Sequence, residues 1–393
     1  ARSVKMTAVL ATVGVGLIIG SYLIGIIFLP YLYQYFKLRS NAIEMETPYL
    51  KRNIEFTRMA YGLDKGKVTE REFKVNNLLD PTTIQKSQET IDGIRIWDWK
   101  VLQATNSQMQ LFRSYYSFAD VDVVRYNING RLTQMMYSGR ELDQQKLPDQ
   151  AKTWQNFRMV FTHGFGGCAN PVNAFTKEGL PDYVLKDIPP ISNLPELEIQ
   201  QPRIYFGEET KTHVYVKTKR AEFDYPGINQ NKTFFYAGPA GIELSSAFRK
   251  FAFALRFDGF PLLFCNEITN KSRILFDRDI QTRVEKIAPF LFLDGDMYQV
   301  IADKQIWFMW DAYTYSCHFP YSEPFSAKDS NYLRNSVKTV INAYTGKVDF
   351  YVFDDKDPII KAYSQIFPGM FKKASEMPAS LRIHVRYPED MLS

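Results

Sequence analysis

The chain has 393 residues, with 48 Lys and Arg against 43 Asp and Glu, so its net charge is +5. A balance this mild over this length points away from nucleic acid as a partner. Three cysteines and four histidines are too few for a disulfide scaffold or a zinc-ribbon array. The mean hydropathy of −0.27 excludes a polytopic membrane protein for the chain as it stands, and the length is ample for a sizeable hydrophobic core.

The average conceals one very apolar stretch. Met6 to Phe36 runs for 31 residues without a charge, and about 20 apolar residues suffice to cross a bilayer as a helix. A secretory signal peptide would have a shorter apolar core and a small-residue cleavage site, and none ends this run. Pro30, which has no N–H to donate, is expected to end or kink the helix. Tyr31, Tyr33, Tyr35 and Phe36 then stand where an interfacial aromatic belt belongs. Ala8, Thr12, Gly16 and Gly20 recur every four residues. Such a stripe of small side chains allows close backbone approach, which is how helices associate in lipid. We therefore expect residues 1–39 to be a transmembrane anchor that packs against other helices. Arg2 and Lys5 at one end are matched by Lys37 and Arg39 at the other, so charge alone does not orient it.

Residues 40–65 read as a polar connector followed by a helix, and 66–96 as a polar loop region. A second helix is expected over 97–116, with Leu102, Met109 and Phe112 at helical spacing. Asn129-Gly130 between two alternating runs predicts a hairpin. Residues 139–210 are proline-rich and irregular, with short strands at RMVFTH and RIYFG; HVYVKT and TFFYAG also read as strands. Residues 244–257 predict an amphipathic helix capped by Ser245 or Ser246, and the charged run 271–287 another helix. MYQVIA and QIWFMWDAYT flank Asp303-Lys304, and VKTVINAY and KVDFYVFD flank Thr345-Gly346. Together these predict a four-stranded antiparallel sheet. Helices are expected near 357–367 and 378–392. The fold class is thus α+β: one N-terminal transmembrane helix, then a large mixed domain over 40–393 with antiparallel hairpins and a subdivision near 240.

Four patterns are candidates for chemistry. Met159 to Gly167, an apolar run ending in His163-Gly-Phe-Gly-Gly, is similar to the oxyanion-hole loop of an α/β-hydrolase. That reading requires a G-x-S-x-G elbow, and the chain contains none, so a glycine-rich turn with a buried, hydrogen-bonded His163 is preferred. His163, Cys168, Cys317 and His318 would be the ligands of a zinc site, but adjacent strand residues such as Cys317 and His318 face opposite ways. Asp120-Val-Asp122, Asp294-Gly-Asp296 and the run Asp354 to Asp357 offer hard oxygen ligands. Asp294 and Asp296 are taken as the metal candidates, with calcium or magnesium as the ion. Finally, Trp307, Trp310, Tyr313 and Tyr315 supply an aromatic cluster for stacking or for a protein interface, half of it expected to face the core. No catalytic residue is assigned.

Longer strings carry a resemblance. TPYLKRNIEFTRMAYGLD, FRSYYSFADVDVVRYNING, SGREL, FTHGFG, NPVNAFTKEGLPDYVLKDIPP, RIYFGE and EFDYP occur in this order, followed by SRILFDRDIQTRVEKIAPFLFLDGDMY, WDAYT, FPYSEP, NYLRNSVKTVINAYTGKV, DPIIKAY and HVRYPEDML. The chain resembles the last transmembrane helix and most of the extracytoplasmic domain of the Uncharacterised Protein Family 0182, a group of large bacterial and archaeal membrane proteins. The resemblance implies a helix in the cell membrane with the domain outside the cytoplasm, and no catalytic residue comes with it. Members have several N-terminal helices and continue beyond the equivalent of Arg386 to Asp390, so this chain is expected to be part of a larger design. The expected role is a structural or accessory subunit of a membrane complex, whose partners are the lipid bilayer and other transmembrane helices or subunits. The alternative is a cell-envelope enzyme or carbohydrate-binding module using a divalent cation.

Overall fold

The computed structural model of the chain describes residues 2–39, 41–72, 81–227, 229–325 and 330–391. Backbone contacts group the chain into two compact units, Ala1–Arg71 with Ser316–Leu333, and Glu72–Tyr315 with Arg334–Ser393.

The first unit begins with one continuous helical stretch. An α-helix over Arg2–Tyr22 widens into a π-helical turn at Leu23–Phe28, returns to α at Leu29–Tyr33 and widens again at Gln34–Leu38. The segment Val9–Lys37 is long and apolar enough to cross a membrane, and none of it is buried against the chain. Pro30 neither ends the helix nor breaks it. The wide turn just before it relieves the clash that its ring would make with an α-helical carbonyl. A second helix, Ala42–Ala60, follows. The segment after Ser316 clamps this helix: Phe56 packs on Phe319 and Tyr321, Tyr61 donates to the Glu323 carbonyl at 3.0 Å, and Glu323 N donates to Thr57 Oγ1 at 3.0 Å.

The second unit is built on two main sheets. In the first, the long strand Arg131–Leu142 is central. Its residues 131–137 pair with Asp122–Ile128, 140–142 with Tyr116–Phe118 and the middle stretch 135–139 with Gly167–Pro171, and the short strands Leu185–Lys186 and Ile191–Ser192 complete the sheet. The turn joining 122–128 to 131–142 has Asn129 at φ 52° and Gly130 at φ 80°, as a two-residue hairpin demands. The second sheet runs in order Phe292–Ala302, Gln305–Ser316, Tyr332–Asn342, Val348–Val352 and Phe371–Lys373. Its first four strands form the expected antiparallel array. The fifth joins in parallel, which needs a crossover, and the helix Pro358–Ile366 supplies it. Asp357 caps that helix, accepting from Ile359 N at 3.0 Å.

The sheets share a core in which Val124, Tyr126 and Tyr137 of the first meet Tyr298, Val300, Met309 and Val340 of the second. Two side chains of the first sheet also reach the edge of the second. Asp122 Oδ2 accepts from Gln299 N at 2.8 Å, and the Tyr126 hydroxyl accepts from Ile301 N at 2.9 Å. A smaller sheet of Val214–Val216, Arg273–Leu275 and Ile242–Glu243 carries short helices over Ala247–Phe253 and Phe260–Phe264.

Several local expectations are corrected. RMVFTH is not a strand: Asn156–Val160 forms a π-helical turn that buries Met159. The run 271–287 is helical only over Ile280–Ile287, where Asp279 accepts from Thr282 N at 2.7 Å, while Arg273–Leu275 is drawn into the small sheet. The region 66–96 contains two short helices, Pro81–Lys86 and Gln88–Asp92, with 73–80 outside the described residues. The last stretch is helical only at Ala379–Arg382.

Candidate functional site

Asp294-Gly295-Asp296 lies within a strand whose register against Gln305–Ser316 shifts between Leu293 and Met297. A bulge of this kind re-aims the side chains around it, and here it separates the two aspartates. The Asp294 carboxylate turns inward, accepting from Asp296 N at 2.9 Å, from Asp390 N at 3.1 Å and from the Tyr313 hydroxyl. Asp296 is directed elsewhere. One of its carboxylate oxygens lies with one each from Asp120 and Asp122, all within 4.8 Å of one another. Among the described residues, this is the one group of three or more acidic, His or Cys side chains close enough to share an ion.

The surroundings are strongly acidic. Asp122 is buried, and burial raises its carboxyl well above the ordinary range, reinforced by the negative charges of Asp120 and Glu208. Burial pushes Asp120 up to about 6, and its Oδ1 is buried with no hydrogen-bond partner. Glu208 is raised by burial and by Asp120 and Glu141; Gln299 Nε2 donates to it at 3.0 Å. Glu141 is pushed up to about 7 by burial, although the N–H groups of Glu208 and Glu209 donate to its two oxygens at 2.9 and 2.7 Å. Arg386 faces this group, pairing with Asp296 while its guanidinium lies 3.9 Å over the Tyr298 ring. Asp120, Asp122 and Asp296 form an oxygen-only donor set. That set fits calcium or magnesium rather than a soft metal. Asp120, Asp122 and Asp296 would hold the ion, and it would supply the positive charge that the crowded carboxylates lack.

A second buried network lies around His163. Its Nδ1 is 2.9 Å from the Gly164 carbonyl oxygen, and burial lowers its pKa to about 4, so the ring is neutral at physiological pH. Glu222 accepts from the hydroxyls of Thr162 and Tyr205 and from Tyr236 N, and burial pushes it up to about 7. Arg203 grips Asp224 with two bonds of 2.7 and 2.8 Å. Arg278, fully enclosed, donates to the carbonyls of Thr162, Tyr205 and Thr212. The glycines of the motif serve packing: a Cβ on Gly164 would lie 2.7 Å from Glu141 Cα and closer still to the Arg140 carbonyl oxygen. The buried, hydrogen-bonded reading of His163 therefore describes its place in the fold.

The aromatic candidates divide. Trp310 and Tyr313 are buried and direct their polar atoms at Asp294, whereas Trp307 and Tyr315 are half-buried. Cys168 is in the core, and Cys317 and His318 are exposed. In the first unit, Thr12 and Gly16 are exposed, and among the described residues nothing lies within 4 Å of where a Cβ on Gly16 or Gly20 would sit. The Ala8 side chain lies outside the described ones.

Asp120, Asp122 and Asp296 were legible as acidic pairs. Glu141, Glu208, Gln299 and Arg386 were not, although SGREL, RIYFGE, MYQVIA and HVRYPED contain them. The strings hold the residues but do not say which of them meet.

These features define an α+β protein with an N-terminal helix of membrane-spanning length and two buried carboxylate networks where its sheets and loops converge. The chain belongs to the uncharacterised protein family UPF0182, whose family model matches residues 1–393. It is 48% identical over 387 residues to a UPF0182 protein of Pelotomaculum thermopropionicum, covering 98% of this chain and 42% of that protein. It is 47% identical over 377 residues to one of Desulforamulus reducens, covering 96% and 40%. With a UPF0182 protein of Moorella thermoacetica it shares 44% over 386 residues, covering 98% and 42%. The chain thus spans about two fifths of the length of these curated relatives. No solved structure matches it.

Proposed function

We propose that this chain is a membrane-anchored structural or accessory subunit, whose helix packs against partner helices and whose second unit makes protein contacts outside the cytoplasm. The observation that carries this reading is the helix itself. Its apolar segment Val9–Lys37 is unburied by the chain, and Gly16 and Gly20 leave open space beside the backbone. In lipid, such space is filled by another helix. Half-buried Trp307 and Tyr315 offer aromatic surface for the contacts outside. Gly16→Leu combined with Gly20→Leu is expected to release the affinity-tagged chain from its partners in mild detergent, leaving its membrane insertion intact. Unchanged co-purification from native membranes would refute helix packing through the stripe.

A second reading, a cell-envelope enzyme or carbohydrate-binding module using a divalent cation, is favoured by one observation: the meeting of Asp120, Asp122 and Asp296. Millimolar calcium or magnesium is then expected to raise the melting temperature of the chelator-treated chain. A cation at 100 times its Kd stabilises by about 2.7 kcal/mol. Asp296→Asn should abolish that rise while preserving Asp294 and its bonds. An identical melting temperature with and without either ion, together with no bound metal by elemental analysis, would eliminate the reading. Glycan-array binding would separate a carbohydrate-binding module from a purely structural ion.

A further inference from the structure

The small sheet of the second unit carries a helical hairpin whose two faces differ sharply. Ser246 caps the helix Ala247–Phe253, accepting from Arg249 N at 3.2 Å; a π-helical turn follows at Ala254–Asp258; Gly259, at φ 62°, reverses the chain into the helix Phe260–Phe264. One face is fixed in the core, where Ala254 and Leu262 are buried among Met159, Tyr215, Leu244 and Ile274. The other face points out. Phe248, Leu255, Phe260 and Phe264 are 79, 74, 74 and 76% exposed, with Phe251 at 49%. Phe248 and Phe251, three residues apart, share one face of the helix, Leu255 follows in the π-helical turn, and the rings of Phe260 and Phe264 stack at 6.3 Å. Water is a poor solvent for so many large apolar groups in so short a stretch.

We propose that this hairpin is an interfacial membrane-binding element, which inserts its phenylalanines among the headgroups and upper acyl chains of an anionic bilayer. The charge pattern selects lipid as the occupant. Arg249 and Arg256 are exposed beside the apolar face and Lys250 is half-exposed, and residues 247–264 contain three basic residues to one acidic. Apolar side chains flanked by Lys and Arg are the composition of helices that lie in the interface of anionic membranes. The proposal rests on the membrane anchor: a helix of spanning length tethers the same chain and holds the hairpin at a high effective concentration of lipid.

The test uses the full chain reconstituted in vesicles of phosphatidylcholine and phosphatidylglycerol, with or without phosphatidylcholine brominated in its upper acyl chains. Phe260→Trp and Phe264→Trp each add a fluorophore to the hairpin. Phe175→Trp, at a loop position 63% exposed, is the control. After subtraction of the unsubstituted chain's emission, brominated lipid is expected to quench the added tryptophan at 260 and 264 by half or more. At 175 the expected quenching is below a tenth. Quenching at 260 and 264 no greater than at 175 overturns the inference, and is the result a protein-docking face would give. Resistance of the chain to carbonate extraction reports the anchor separately, so a chain that stays inserted without quenching at 260 refutes the hairpin's role alone.

Discussion

Replacing Arg140 by methionine is expected to destabilise the second unit by about 2–6 kcal/mol, at roughly 1–3 kcal/mol for each of two buried carbonyls left without its donor. Arg140 is fully enclosed. Its Nε donates to the Gln110 carbonyl at 2.8 Å and its Nη1 to the Phe165 carbonyl at 2.9 Å, while the guanidinium lies 5.6 Å over the rings of both Phe112 and Phe118. It therefore ties the end of the helix Trp99–Gln110 to the strand Gly164–Phe165. Methionine restores apolar volume but leaves these carbonyls without donors in a dry interior. At an unfolding entropy of about 2.1 cal/mol/K per residue, a unit of this size shifts by roughly 1–2 °C per kcal/mol, so thermal unfolding should move down by about 2–12 °C. Arg140→Lys should recover only part of the loss, because a single ammonium cannot reproduce a planar fork. A melting temperature within a degree of the parent would show that the guanidinium is dispensable.

Gly164→Ala is the second large effect. Strand Gly164–Phe165 runs so close to the strand Arg131–Leu142 that an added methyl meets backbone: the Arg140 carbonyl oxygen and, at 2.7 Å, Glu141 Cα. Backbone cannot rotate out of the way as a side chain can, so the strands must separate. The cost falls at or above the upper end of the 1–3 kcal/mol typical of overpacking. Separation would also disturb Glu141, whose carboxylate is held by the N–H groups of Glu208 and Glu209. Gly93→Ala is the informative comparison. Its added methyl meets the Gln134 amide at 3.1 Å, a flexible side chain, and is expected to shift the melting temperature by far less. Equal melting temperatures for the two variants would contradict this account.

What could be read from the chain followed the range of the forces involved. Asn129-Gly130, Asp303-Lys304 and Thr345-Gly346 announced their hairpins because turn chemistry is local. The Ser245-Ser246 pair announced the helix that follows it for the same reason, and Ser246 is the residue that caps it. RMVF was misread because a short apolar run is buried equally well as a strand or a helical turn. Arg273–Leu275 was misread because strand partners at 214–216 and 242–243 outweigh what its own charges suggest. The carboxylate cluster shows the same limit. Asp122 and Asp296 each belonged to a visible pair, but their meeting depends on two sheets packing and on a bulge that turns Asp296 away from Asp294. Nothing local to either pair encodes that.

The bonds from Gln299 N to Asp122 and from Ile301 N to Tyr126 also bear on how this protein is recognised. An outermost strand normally offers its free amides as a template for a visiting peptide or for another copy of itself. Along Phe292–Ala302 those two amides are already satisfied by side chains of the neighbouring sheet, and the opposite margin ends in the three-residue strand Phe371–Lys373. Strand-by-strand growth is thereby blocked along one margin and shortened at the other. An incoming strand therefore finds one margin of this sheet occupied by side chains and the other only three residues long, so this sheet resists edge-to-edge polymerisation.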